Sequence, residues 1–221
     1  MRKKLYLLPL VALLLAALAC GGGAISSSNT PVPSGPKVLL KDDFSSTSSG
    51  WDTGSDTDSS VDYAGGEYVI KIEKTKLLVW GTQNEEQLGN VHIAVKAQNT
   101  GAADPTFGVL CGYKDDKNFY YMGLGVDAYY AIAKYVDDTL TIMTSDNNQW
   151  IQSDAIKQNA DSYKIEADCG NGRLALYVDG KQIASVEDPD YSKGNVGLFG
   201  RSFDNSGVEV HFDDFVVTEL K

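Results

Sequence analysis

The chain of 221 residues is poor in the side chains that carry acid–base and redox chemistry, with two histidines and three cysteines. It has no G-x-S-x-G elbow, no H-E-x-x-H pair, no phosphate-binding G-x-x-x-x-G-K-[ST] loop and no C-x-x-C. That removes the motif-borne routes to serine hydrolysis, zinc proteolysis, nucleotide hydrolysis and thiol exchange. His92 (in VHIAVKA) and His211 (in EVHFDDF) sit inside alternating runs and read as strand residues, so Ser–His or Cys–His catalysis has no support. Positive charge is also scarce: 19 Lys and Arg stand against 30 Asp and Glu, for a net −11. The first nineteen residues hold three of those positive charges and no negative one, so the remainder carries −14. Nucleic acids and anionic bilayers are both bound through basic footprints, so this balance argues against either as a partner. Long apolar runs are missing too, except for Leu5–Ala19. Its fifteen residues fall short of the roughly 20 that a bilayer span needs.

That single run has a purpose of its own. Arg2-Lys3-Lys4 precedes it and the small residues Ala16-Ala17-Leu18-Ala19 close it, which is the three-part pattern of an export signal. Cys20 follows at once, and the arrangement resembles a bacterial lipoprotein signal. The resemblance implies that residues 1–19 are removed, that the Cys20 thiol is acylated, and that the lipid holds the protein on the outer face of a membrane. One place departs from the pattern: Ala17 stands three residues before the cysteine, where the lipoprotein signal prefers Leu, and Ala17-x-Ala19 also satisfies an ordinary signal peptidase. On that reading residues 20–36 comprise the lipidated Cys20 and a Gly/Ser/Pro tether, whose residues 21–36 are expected to span roughly 20–24 Å as a coil. Residues 37–221 are enough for one domain with a sizeable core.

Cys111 and Cys169 remain, both in strand-like contexts (FGVLCGY and YKIEADC). In an exported domain two cysteines are expected to form one disulfide, here between sheet strands. Almost nothing reads as helix. Period-2 alternation and turn residues every eight to twelve positions predict about thirteen short strands between Lys37 and Thr218. Asp179-Gly180, between Arg173–Val178 and Lys181–Val186, is a two-residue hairpin signal that needs positive φ. Many short strands without helices predict an all-β sandwich or barrel.

Several segments carry a closer likeness: DDFSS and SGW between Asp42 and Trp51, YAGGEYVI at 63–70, GVLCGYKDDKNFYYMGLG at 108–125 and YYAIAKY at 129–135. CGNGRLALYVDGKQIASVEDPDY at 169–191, GNVGLFG at 194–200 and VHFDDFVV at 210–217 continue it. Together these resemble the concanavalin A-like, LamG-type jelly roll of bacterial lipoproteins, and the domain of 3-keto-disaccharide hydrolases. The resemblance implies a jelly-roll β-sandwich of two antiparallel sheets. It leaves function open, because the fold hosts lectins, glucanases, adhesion modules and spacers. The E-x-D-x-E or E-x-D-x-x-E strand of jelly-roll glucanases is absent; Glu166-x-Asp168 lacks a third member, and Glu187-Asp188-x-Asp190 reads as a turn.

Two kinds of site remain as expectations. Asp42-Asp43 opens the domain and Asp213-Asp214 closes it; if the first and last strands are neighbours, the four carboxylates could converge on Ca2+, against the alternative of solvated or turn-capping aspartates. The second kind is a glycan surface, since aromatic rings stack on the C–H faces of sugars. Trp80, Tyr120, Tyr121 and Tyr130, with Asp127 and Arg201 as hydroxyl partners, are the expected contacts. In Tyr120-Tyr121 and Tyr129-Tyr130, alternation sends one ring to each face. The functional expectation is a non-catalytic surface-anchored binding module for glycans. The alternatives are a hydrolase related to the 3-keto-disaccharide family or an adhesion module without a small ligand.

Overall fold

Alternation becomes sixteen strands. They are β1 Val38–Asp42, β2 Gly54–Ser55, β3 Ser59–Ala64, β4 Glu67–Ile72, β5 Leu78–Leu88, β6 Val91–Asn99, β7 Thr106–Asp115 and β8 Asn118–Gly125. The chain continues with β9 Tyr129–Val136, β10 Thr139–Ile142, β11 Ile151–Gln152, β12 Tyr163–Gly170, β13 Arg173–Val178, β14 Lys181–Glu187, β15 Gly194–Arg201 and β16 Val208–Glu219. The structure, a computed structural model, describes residues 35–101 and 104–220, and none of these lies in a helix. Cys20, the export signal and nearly all of the expected tether lie outside the described residues.

The strands form two antiparallel sheets. The first has the order β14-β13-β12-β6-β16-β4-β3-β2, with β1 also paired to β16; the second runs β10-β9-β8-β7-β15-β5, with β11 on β9. The architecture is a jelly-roll sandwich. Its core lies between the sheets because alternate residues of each strand point inward. Tyr68, Ile70, Ile72, Ile93, Val95 and Ile165 of the first sheet meet Phe107, Val109, Met122, Leu124 and Leu198 of the second, all buried. Cys111 of β7 and Cys169 of β12 are disulfide-bonded with Cα atoms 6.6 Å apart, so the bridge ties one sheet to the other across the core.

Local chemistry explains several details. Asp179 and Gly180 have φ of 51° and 78°, the left-handed pair that turns β13 into β14. In β16, Phe212 and Phe215 are three apart yet both fully buried, which strict alternation forbids. A register shift between Asp213 and Val216, with Asp214 at φ 53°, restores both rings to the core. Gly81 stands where a Cβ would fall 1.8 Å from the Tyr68 hydroxyl, so glycine alone lets Tyr68 reach across and donate to the Asp52 carbonyl at 2.6 Å.

β1 does pair with β16, with Asp42 opposite Phe215. The expected calcium site is nevertheless corrected. Asp42 is 8% exposed and turned inward, accepting from the Phe44 N–H at 2.8 Å and from the Trp51 indole at 2.9 Å. Asp43 accepts from Ser45, and Asp213 from the Asp214 N–H beside the bulge. Asp42 points inward, whereas Asp213 and Asp214 lie at the bulge between the inward-facing Phe212 and Phe215, away from the core, so strand pairing does not gather four carboxylates. Among the described residues no group of three His, Cys, Asp or Glu side chains is placed to hold a metal ion.

Candidate aromatic binding face

The outer faces of the two sheets differ. On the second sheet, alternation turns Phe119 and Tyr121 of β8 outward, together with Leu78 and Trp80 of β5, Leu110 of β7, Tyr135 of β9 and Phe199 of β15, and a register shift after Cys111, with Gly112 at φ 60°, brings Tyr113 of β7 to the same face. They form a second apolar cluster separate from the core. Phe119 is its centre: its ring lies 5.2 Å from Trp80, 5.2 Å from Tyr135 and 5.8 Å from Tyr113. Tyr121 continues it, 5.0 Å from Phe199 and stacked at 6.5 Å on Trp150 from the loop before β11. Gly123 permits this, since a Cβ there would come within 2.8 Å of the Phe199 ring.

Two pockets open on this face. One of about 250 Å³ is lined by Lys76, Leu78, Trp80, Asp116, Phe119, Tyr135, Leu140 and Arg201. The other, about 220 Å³, is lined by Thr106, Asp127, Tyr129, Trp150 and Phe203. Arg201 stands between them. It lines the first pocket, its guanidinium lies 5.0 Å over the ring of Phe203, and it pairs in register with Thr106 on β7. Its Nη1 donates to the Tyr121 hydroxyl at 3.5 Å. Tyr129 and Phe203, at 38% and 37%, are among the few large apolar side chains left exposed. On the rim of the first pocket the Tyr113 hydroxyl donates to Asp116 at 2.6 Å; burial, and then that carboxylate, push Tyr113 up to about 12.

The first sheet's outer face is ionic. His92 Nδ1 lies 2.7 Å from Asp168, whose other oxygen accepts from Tyr177 at 2.7 Å, and Lys164 reaches Glu166 at 2.6 Å. The hydrogen bond to Asp168 raises the pKa of His92 despite burial, with the Asp168 and Glu166 charges adding to it. A wider depression of about 490 Å³ beside β2 and β3 is lined by Thr53, Gly54, Ser55, Ser60, Asp62, Ala64, Val69 and Lys71. It presents no aromatic ring on which a ligand could stack.

Of the expected glycan contacts, Trp80 and Arg201 line the first pocket and Asp127 lines the second. Tyr121 is on the same face but fully buried beneath its neighbours. Tyr120 and Tyr130 are corrected: both point into the sandwich. Tyr120 is 8% exposed and donates to the buried Asp188 at 3.1 Å, where Lys134 also binds at 2.9 Å. The alternation rule does divide each tyrosine pair, but the sequence does not say which member faces out. Phe119 and Tyr135 follow from Tyr121 by counting in twos and across the hairpin. Trp150 and Phe203 lie in loops, where no period announces a direction.

No protein-family model matches the chain, and no curated protein does. Solved structures do. The carbohydrate-binding module CBM66 from Bacillus subtilis superposes with a TM-score of 0.60 at 11% identity, covering 77% of this chain and 96% of that one. A Bacillus subtilis protein of unknown function with a galectin-like fold gives 0.61 at 9% identity, covering 83% and 96%. The β-glucanase of Bacillus licheniformis gives 0.58 at 10% identity, covering 82% and 98%. Identities this low speak for the fold: the described domain is a concanavalin A-like jelly roll, an architecture shared by carbohydrate-binding modules and glycosidases.

Proposed function

We propose that this is an exported, lipid-anchored surface protein whose jelly roll binds glycans, without cleaving them, on the outer face of its second sheet. The observation that carries the reading is the aromatic face itself. A sandwich needs one buried face per sheet, yet this sheet carries a second apolar cluster on its outer side, buried at its centre and half-open at its rim, where two pockets lie. Rings with hydroxyl, guanidinium and carboxylate groups at their edges suit a sugar, which offers C–H faces and hydroxyls together. The binding-module neighbour supports the same reading by analogy of fold. Retaining and inverting glycosidases need two carboxyl groups flanking the scissile bond. Among the described residues, the outward positions of this sheet that form the cluster are apolar or aromatic, and Asp116 and Asp127 stand in the turns on either side of β8.

The anchor rests on the sequence around Cys20. Cys20→Ser should release the protein from the membrane fraction or leave it unprocessed, and equal retention of the variant would remove the lipid from the proposal. The binding reading is tested by titrating soluble oligosaccharides while following tryptophan fluorescence and product release. Saturable quenching without cleavage is expected. No response to any oligosaccharide at millimolar concentration would defeat glycan binding, and released sugar would defeat the non-catalytic part.

A further inference from the structure

Arginine is rare in this domain: of three in the chain, only Arg173 and Arg201 lie in the described residues. Carboxylates outnumber cations, and lysines on the domain surface commonly pair with them, as Lys71, Lys74, Lys76, Lys117, Lys134 and Lys164 do. Arg201 does not. Among the described residues no carboxylate lies within 4.0 Å of its guanidinium, which has only a long hydrogen bond to Tyr121 and the face of Phe203. It is half-buried, at the junction of two aromatic-lined pockets. Directly across the strand pair, Thr106 is 4% exposed and its hydroxyl has no hydrogen-bond partner. A buried hydroxyl without a partner is costly, so Thr106 is a second polar group beside Arg201 with unmet capacity.

We infer that the glycan site is specific for a saccharide bearing a carboxylate, which Arg201 receives in a forked hydrogen bond assisted by the Thr106 hydroxyl, while the sugar rings occupy the aromatic pockets on either side. The inference rests on the glycan-binding reading above and adds the chemical class of its ligand. A guanidinium is always charged and presents paired N–H donors that match a carboxylate. The Phe203 ring beneath the guanidinium and the buried Tyr121 beside it exclude water on those sides, which strengthens such a pair. The nearby carboxylates are already engaged: Asp204 lies 3.4 Å from Lys76, Asp116 accepts from Tyr113, and Asp127 accepts from the Tyr129 N–H at 3.3 Å. The domain's overall acidity works against a highly charged polymer, whereas its field beyond the contact itself is screened over about 8 Å at physiological salt. The ligand is therefore a saccharide with an isolated acid group, not a polyanion.

The test compares acidic sugars with their neutral parents on the full domain: sialyllactose against lactose, a glucuronate-terminated disaccharide against its carboxyl-reduced form, and a sulfated lactose. At least one carboxylated member should bind tenfold or more tighter than its neutral counterpart. Arg201→Gln should remove that preference with the melting temperature of the domain maintained, and Thr106→Val should reduce it a few-fold. Equal binding of acidic and neutral members, or a preference for the sulfate alone, would overturn the carboxylate assignment while leaving glycan binding intact. Binding of none would overturn the glycan reading and this inference with it.

Discussion

The two outer faces of the sandwich are built from the same alternation and end up unlike. On the first sheet the outward residues of β6, β12 and β13 are His92, Lys164, Glu166, Asp168 and Tyr177, joined in a chain of hydrogen bonds and ion pairs. On the second the outward residues of β5, β7, β8 and β9 are Trp80, Tyr113, Phe119, Tyr121 and Tyr135, joined by ring contacts. Both inner faces are filled with Val, Ile, Leu and aromatic residues, so either sheet can close the core. The ionic face is what a solvated sheet surface needs to stay soluble. On the aromatic face Phe119, Tyr121 and Phe199 are buried under a half-exposed rim that includes Trp80, Tyr113, Tyr135 and Trp150, and the pockets beside that rim are the physical reason to propose a ligand there.

The contrast can be broken in a definite order. The largest effects on stability belong to the inner faces. Phe212→Ala should cost about 3–5 kcal/mol, since the ring is fully buried and the strands around it cannot collapse into the gap. Urea denaturation measures it, and a loss below about 1 kcal/mol would mean the core is not packed as described. Reduction of Cys111–Cys169 comes next, at roughly 2–5 kcal/mol. Melting with and without reductant reads this out, and thiols that alkylate freely in the untreated native protein would refute the bridge.

Changes on the aromatic face should instead be seen in binding. Trp80 is half-buried at the edge of the first pocket, so Trp80→Ala should weaken glycan binding by about 2 kcal/mol, on the order of thirtyfold. A variant that lost stability but kept affinity would make the cluster a second core and end its assignment as a binding surface.

The smallest effect belongs to the ionic face. Its hydrogen bond to Asp168 raises His92 in the folded state, so the charged imidazole stabilises the fold. That contribution is complete below the unfolded value near 6.5 and is lost as pH climbs through the higher folded value. Partial exposure keeps it under about 1 kcal/mol. Across pH 5.5 to 8.5, the urea midpoint of His92→Gln should depend on pH less than that of the parent protein. Identical slopes would show that the pair adds nothing.

The sequence by itself determined the fold class and most of the strands. Period-2 alternation is a local property, and Asp179-Gly180 fixes a hairpin through backbone sterics alone. The Ser-rich β3 and the two-residue β2 and β11 carry too few apolar positions for alternation to mark them. The pairing of Cys111 with Cys169 was also legible, since they are the two cysteines within residues 37–221 and both sit in strand-like runs. The direction of each face was not. Alternation separates Tyr120 from Tyr121 and Tyr129 from Tyr130 without saying which side is core, because that depends on where the opposite sheet lies. Tertiary structure alone decided that Tyr120 holds Asp188 inside the sandwich and that Phe119 gathers Trp80, Tyr113 and Tyr135 outside it. It likewise spent Asp42 on Trp51 instead of a cation, and set Arg201 beside Thr106, residues 95 positions apart in the chain that only strand pairing brings together.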